Sequence, residues 1–149
     1  MLSLKDLLKY SNMDFKNILT TSSTIVIIGA SSEQYRTSFG IAQQLQRKGY
    51  QIIPVNPKYK EVLGEKCYAD MASLPINIQV DIVVIFRNKI YTEQMVQSVV
   101  NWSKQSGQKP LIWTQLDVSS TEAEKLAADN TLPYVKNRCI AVEYAKHIH

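Results

Sequence analysis

Residues 24–40 read TIVIIGASSEQYRTSFG, and this stretch decides the fold. Its first part, residues 24–29, is apolar, mostly β-branched and short, which predicts a buried strand. The remainder is a loop that enters a helix at Ser38, interpreted here as the N-cap, and Gly49 is the predicted stop of that helix. A strand that runs through a loop into a helix is the first half of a parallel crossover unit.

The rest of the chain repeats this alternation of short apolar runs and helical segments. Further strands are predicted at residues 50–55, 66–68, 80–86, 111–115 and 132–135. Further helices are predicted at residues 92–106, at 119–129 with a capping box formed by Ser119 and Glu122, and at 139–147. The pattern predicts an α/β fold, namely a doubly wound parallel sheet of five to six strands with helices on both faces.

One domain is expected over residues 1–149, with residues 1–20 as an N-terminal helical extension. Leucines in residues 2–8 are spaced as in a short amphipathic helix. Asp14 is predicted to cap a second helix that reaches Leu19, because its carboxylate can accept hydrogen bonds from exposed helix amides.

Composition excludes several classes of protein. The chain is 45% apolar and 20% charged, which is ordinary for a globular protein, and no apolar run approaches the roughly 18 residues of a membrane span. The net charge is +4 without a basic run, so nucleic acid is not an expected partner. Scattered charges near the start argue against a signal peptide. A cytoplasmic protein is expected, with Cys67 and Cys139 as reduced thiols.

The loop of residues 29–40 has the composition of an anion-binding site. Gly29 allows a sharp turn, and Gly40 allows close approach to the helix start. Exposed amides at that helix start favour an anion. Donors suited to phosphate are supplied by Ser31, Ser32, Ser38 and Arg36. An ordinary strand-to-helix connection remains the alternative interpretation of this loop alone.

Two common phosphate loops are excluded. The dinucleotide fingerprint needs glycine where this chain has Ser31 and Gln34, and no Gly-Lys-Ser/Thr follows for a nucleotide triphosphate loop. The second strand is followed by Lys58, whereas NAD enzymes usually have an acid there. A lysine suits a phosphorylated ribose, as in coenzyme A (CoA) or NADP, or it is a solvated loop residue.

Several motifs together resemble those of a known family. They are IVIIGASSEQYRTSFGIAQQLQRKGYQIIPVNP (25–57), VLGEKCYADMASLP (62–75), VDIVVIFRN (80–88), IWTQL (112–116) and NRCIAVEYAKH (137–147). Over residues 15–147 the chain resembles the small bacterial and archaeal CoA-binding proteins. Their Rossmann domain is similar to the N-terminal domain of the succinyl-CoA synthetase α subunit.

This resemblance implies six strands in the order 3-2-1-4-5-6 and CoA or an acyl-CoA as the ligand. It places the pyrophosphate on the loop of residues 29–40, which includes Ala30, with contacts from Ser31, Arg36 and Ser38. The adenosine end would lie against Val55, Asn56, Pro57 and Lys58, the middle of the ligand by Phe86 and Arg87, and the pantetheine arm toward Trp113 and Gln115. The chain departs from the family pattern at Thr37, where proline is usual, and at Asp117, where glycine is usual.

No catalytic set is visible in the sequence. The only histidines, His147 and His149, lie at the end of the chain and make a poor metal site. We therefore expect non-catalytic binding of CoA or an acyl-CoA, as a sensor, carrier or partner subunit, with a protein partner or homo-oligomer left open. An NADP-dependent oxidoreductase, or another nucleotide-binding enzyme, is the first alternative. An interaction domain that has lost its ligand is the second.

Overall fold

The computed structural model describes residues 14–149, which form a parallel sheet with helices on both faces. The helices are α1 (Phe15–Thr21), α2 (Thr37–Arg47), α3 (Thr92–Ser106), α4 (Thr121–Asp129) and α5 (Ile140–His147). The strands are β1 (Thr24–Ile28), β2 (Gln51–Val55), β3 (Glu61–Val62), β4 (Glu65–Lys66), β5 (Ile82–Ile85), β6 (Leu111–Thr114) and β7 (Tyr134–Val135). The helix predicted within residues 2–8 lies outside the described residues.

The sheet has five parallel strands in the order β2-β1-β5-β6-β7. From β1 the chain adds β2 on one side and then β5, β6 and β7 on the other side. This arrangement confirms the predicted doubly wound α/β fold. The carboxyl ends of β1 and β5 are neighbours where the order reverses, and ligands bind at such a point in this class of sheet.

The predicted third strand at residues 66–68 is wrong as a strand of the sheet. β4 pairs instead with β3 in a short antiparallel hairpin. Leu63 and Gly64 both have positive φ, 53° and 78°, as a tight hairpin turn requires. Only Tyr68 reaches the sheet, through one parallel bridge to Val55 at the outer edge of β2.

Two predicted helix caps are also wrong, each by a short shift along the chain. Helix α2 begins at Thr37 with Arg36 in the cap position, so Ser38 lies buried in the first turn. Helix α4 is capped by Ser120, whose Oγ accepts the Ala123 amide at 3.1 Å. Ser119 is buried and hydrogen bonded to another side chain. The Asp14 cap of α1 is confirmed, since its carboxylate accepts the Asn17 amide at 3.0 Å.

The core has two layers, one on each face of the sheet. Every residue of β1 and β5 is buried, because helices cover both faces. One layer joins the sheet to α1, α2 and α5 and contains Trp113, while the other joins it to α3 and α4 and contains Trp102. These layers hold β1 and β5 rigidly, so the loops that follow them start from fixed positions.

Candidate functional site

The loops at the carboxyl ends of β1, β2, β5 and β6 surround an open cleft of about 680 Å³. The cleft brings together the following predicted site residues: Gly29, Ser31, Arg36, Ser38, Asn56, Lys58, Phe86, Arg87 and Gln115. The start of α2 also opens into it through Thr37 and Ser38.

Six predicted site residues do not line this cleft: Ala30, Ser32, Gly40, Val55, Pro57 and Trp113. Ala30 is fully buried, and its carbonyl accepts a hydrogen bond from Asn56 Nδ2 at 2.8 Å. Trp113 is fully buried within the α1 and α5 layer, where its indole nitrogen donates to the Arg138 carbonyl at 2.7 Å. Ser32 points outward as an exposed residue.

A second, smaller cavity of about 280 Å³ adjoins the cleft. Val55 and Pro57 line this second cavity, together with apolar residues that include Met71 and Met95. The two spaces share three residues, Gly29, Asn56 and Arg87. A ligand with an apolar ring at one end therefore has a recess beside the more polar main cleft.

The floor of the cleft depends on a close approach between Gly29 and the chain that follows β5. Gly29 has φ +86°, and a Cβ placed on it would clash with the Phe86 carbonyl oxygen. Hydrogen bonds fix both segments, since the Gly29 amide donates to the Val55 carbonyl and the Phe86 amide to the Ile28 carbonyl, each at 2.9 Å. Only glycine allows both the turn and the approach.

Three charged side chains meet at one side of the cleft. Glu33 Oε2 lies 3.4 Å from Arg36 Nε, and Glu33 Oε1 lies 3.5 Å from Lys58 Nζ. The Tyr35 hydroxyl donates to Glu33 Oε2 at 2.8 Å. Arg36 and Lys58, the two predicted phosphate ligands, are thus joined by a carboxylate that sequence reasoning missed.

The ionisation of this group follows from its contacts. The hydrogen bond from Tyr35, reinforced by Lys58 and Arg36, lowers the pKa of the Glu33 carboxyl below its usual value. Glu33 in turn raises the pKa of both the Arg36 guanidinium and the Lys58 ammonium. All three groups are charged near pH 7 and exposed to solvent, so the cluster is a local arrangement of charges at the surface of the cleft.

Arg87 lies between the cleft and the second cavity. Its Nε is buried and has no hydrogen-bond partner among residues 14–149. Its guanidinium carbon is 4.6 Å from the centre of the Tyr91 ring, which faces the same cleft. A buried donor without a partner is rare in proteins.

At the far wall, Gln115 fixes the start of α5. Gln115 is buried, and its Oε1 accepts the Ile140 amide at 3.0 Å. This contact holds the neighbouring Cys139 at the cleft wall, where the thiol is partly exposed. Cys67, by contrast, is buried away from the cleft, and burial raises the pKa of its thiol.

Sequence reasoning also missed several aromatic and apolar residues that line the cleft: Tyr59, Tyr91, Leu116 and Val118. Tyr59 is hydrogen bonded to Ser31 at 3.2 Å between hydroxyl oxygens. Its position two residues after the VNP turn was an available signal. Tyr91 is the last residue of a short 3-10 helix (Lys89–Tyr91), whose place could not be predicted from residue spacing.

The two departures from the family pattern have different consequences. Thr37 is the first residue of α2 and lines the cleft. Asp117 has φ +60°, so its backbone adopts the left-handed conformation that glycine favours. Its neighbours Leu116 and Val118 line the cleft, and Asp117 does not. The turn that glycine usually makes is therefore kept with another residue.

Within residues 14–149, every helix is too short or too polar to cross a membrane. The same part of the chain contains no group of three or more His, Cys, Asp or Glu side chains arranged to hold a metal ion.

A doubly wound parallel sheet with a cleft at its carboxyl edge defines a Rossmann-type domain. The particular family follows from comparison, because residues 23–145 match the profile of the family described as a CoA binding domain. The chain belongs to this family, which confirms the resemblance seen in the sequence.

Relatives of this chain include free-standing small proteins and parts of large enzymes. The uncharacterized protein YneT of Bacillus subtilis is 30% identical over 135 residues, which cover 91% of this chain and 95% of that protein. An ADP-forming acetate–CoA ligase of Methanocaldococcus jannaschii is 32% identical over 62 residues. That match covers 42% of this chain and 9% of the ligase.

Solved structures agree with this assignment. A hypothetical protein from Pyrococcus horikoshii OT3 superimposes with a TM-score of 0.82 at 32% identity, with 91% of each chain covered. A protein from Thermus thermophilus superimposes with a TM-score of 0.78 at 26% identity, with 99% of this chain and 100% of that chain covered.

Proposed function

We propose that this chain binds CoA or an acyl-CoA in the cleft at the carboxyl edge of its sheet, without catalysing a reaction on it. The observation that carries the proposal is the convergence of three cationic side chains, Arg36, Lys58 and Arg87, on one cleft at the start of α2. Membership in a CoA-binding family supports the same ligand.

The residues present fit the chemistry of CoA. Its pyrophosphate needs backbone amides and cations, which the start of α2 and Arg36 provide. Its ribose phosphate suits Lys58, which lies on the loop after β2. The smaller apolar cavity beside Val55 and Pro57 suits the adenine ring. Arg87 lines both spaces, so its guanidinium adds a third positive charge for the phosphates.

A role in binding rather than catalysis is supported by the partners of the charged groups. Glu33, Arg36 and Lys58 pair with one another and not with a candidate nucleophile. Among residues 14–149, Cys139 is the one cysteine at the wall of the cleft, and no histidine lines the cleft with it. We propose that the protein acts as a sensor, a carrier or the partner of another subunit.

The Arg36→Ala variant tests the phosphate assignment. Loss of a charge-assisted contact should weaken CoA binding by about ten- to a hundredfold, measured by isothermal titration calorimetry. Arg47→Ala is the matched control, because Arg47 is an arginine at the opposite end of the same helix. Equal CoA affinity in wild type and Arg36→Ala would show that the phosphate does not bind at this loop.

A further inference from the structure

One carboxylate lies between the two cations that the proposed function assigns to ligand phosphates. Glu33 contacts Arg36 through one oxygen and Lys58 through the other, at 3.4 and 3.5 Å. Arg36 and Glu33 come from the loop after β1, whereas Lys58 comes from the loop after β2. The carboxylate therefore bridges the two loops at one side of the cleft that all three residues line.

The position of the carboxylate is fixed by more than the ion pairs. The Glu33 amide donates to Ser31 Oγ at 3.0 Å, and the Tyr35 hydroxyl donates to Glu33 Oε2 at 2.8 Å. Ser31 is itself hydrogen bonded to Tyr59. The side chain is thus oriented toward Arg36 and Lys58 by neighbours on both sides.

We propose that Glu33 is an internal competitor, which the phosphates of the ligand must displace from Arg36 and Lys58, and that it thereby sets the affinity of the cleft. This inference rests on the proposed function. A carboxylate and a phosphate repel each other, so they cannot share the two cations without loss of binding free energy. The ion pairs are exposed and weak, which allows a ligand with several phosphate charges to replace them.

Glu33 also disfavours the binding of anions that carry a single charge. An anion with one charge would have to break the Glu33 contacts and would replace only part of them. A ligand that carries phosphates in two places replaces both pairs at once. Glu33 therefore lowers the affinity of the cleft for all anions and leaves useful affinity only for highly charged ones.

The test is titration calorimetry with CoA on wild type, Glu33→Gln and Glu122→Gln. Glu122 lies exposed in the first turn of α4 and does not line the cleft, so its substitution makes the same change in net charge elsewhere. Glu33→Gln should bind CoA about three- to tenfold more tightly than wild type. Glu122→Gln should stay within about twofold of wild type.

A second comparison shows whether the effect of Glu33 on CoA affinity depends on Lys58. In a Lys58→Ala background, Glu33→Gln should raise the affinity for CoA by a smaller factor, because one of the two cations that pair with Glu33 is gone. An undiminished gain there would overturn competition at Lys58. If wild type binds CoA and Glu33→Gln binds it equally or more weakly, the competitor role is wrong. If neither protein binds CoA at millimolar concentration, the proposed function itself fails.

Discussion

At the scale of single residues, Gly29 sets the shape of the cleft floor. Its positive φ turns the chain out of β1, and its missing side chain lets the backbone pass the Phe86 carbonyl. Gly49 also has a positive φ, +100°, but apart from its two chain neighbours no residue among 14–149 has an atom within 4 Å of where its Cβ would be. The two glycines thus separate the effect of backbone strain from the effect of a clash.

We predict that Gly29→Ala lowers the free energy of unfolding by about 2–4 kcal/mol, since strain and clash combine. Gly49→Ala should lower it by about 1–2 kcal/mol, because only the strain applies. Urea denaturation of both variants measures the difference. Equal losses would mean that the backbone at Gly29 moves away from Phe86 without difficulty, which contradicts the packed floor described here.

Sequence predicts some residues of the site much better than others. Arg36 and Lys58 could be predicted because each follows the end of a strand, and the carboxyl ends of parallel strands meet at one edge. Glu33 could not, because its role depends on Lys58, which is 25 positions away in the chain. Trp113 was predicted to lie near the ligand but is buried in the core. Alternation along β6 decides which face of the sheet each side chain joins, and Trp113 joins the layer that contains α1 and α5.

At the scale of elements, α1 is held against the sheet by a hydrogen bond to one of its carbonyl groups and by the packing of an aromatic side chain. The hydroxyl of Tyr50, the residue before β2, donates to the Leu19 carbonyl near the end of α1. Phe15 of the same helix packs against Trp113 of β6 with ring centres 5.4 Å apart. Burial, assisted by the nearby Tyr144, raises the pKa of Tyr50 to about 12.

This shift predicts a loss of stability in alkali. Because the pKa of Tyr50 is higher in the folded chain than the usual value near 10, its contribution is fully present below pH 10. It is lost as pH rises from about 10 to about 12, where unfolding releases the proton. Wild type should lose up to about 2 kcal/mol over this range from this residue.

The Tyr50→Phe variant checks the assignment by chemical denaturation at several pH values. It should be less stable than wild type by about 1 kcal/mol at pH 8, since one hydrogen bond is gone. The fall between pH 10 and 12 should also be smaller than in wild type. Tyr35→Phe is the control, because Tyr35 is 78% exposed. An identical alkaline fall in wild type and Tyr50→Phe would refute the role of this hydroxyl.

Elements were predicted well where local signals are strong. The 15 residues of α3 were predicted to the residue, because an amphipathic run is closed by Gly107 in a left-handed turn. The segment after β2 was predicted poorly, since a two-residue hairpin and a single bridge leave little periodicity. The cap of α4 shifted because Ser119 and Ser120 stand side by side, and packing decides which one is buried. The cap position of α2 is taken by Arg36, whose side chain makes no capping hydrogen bond that a sequence pattern could indicate.

At the scale of the whole molecule, the fold and the placement of the cleft follow from the order of strands and helices alone. Parallel strands must be covered on both faces, and their carboxyl ends form the one edge where loops converge. The ligand does not follow from the order of elements, because ligand binding depends on the charged side chains that meet at that edge. In the proposed function, the charged space takes the phosphates of the ligand and the apolar space takes its adenine ring.

The most direct test of the account is thermal unfolding of the purified protein with CoA, acetyl-CoA, NADP, NAD or ATP at about millimolar concentration. A ligand present at 100 times its dissociation constant adds about 2.7 kcal/mol of stability. For a domain of this size the midpoint should then rise by about 5–10 °C. We predict such a shift with CoA and acetyl-CoA and a much smaller one with NAD. A shift with NADP alone, or with none of the five compounds, would contradict the assignment of this cleft to CoA.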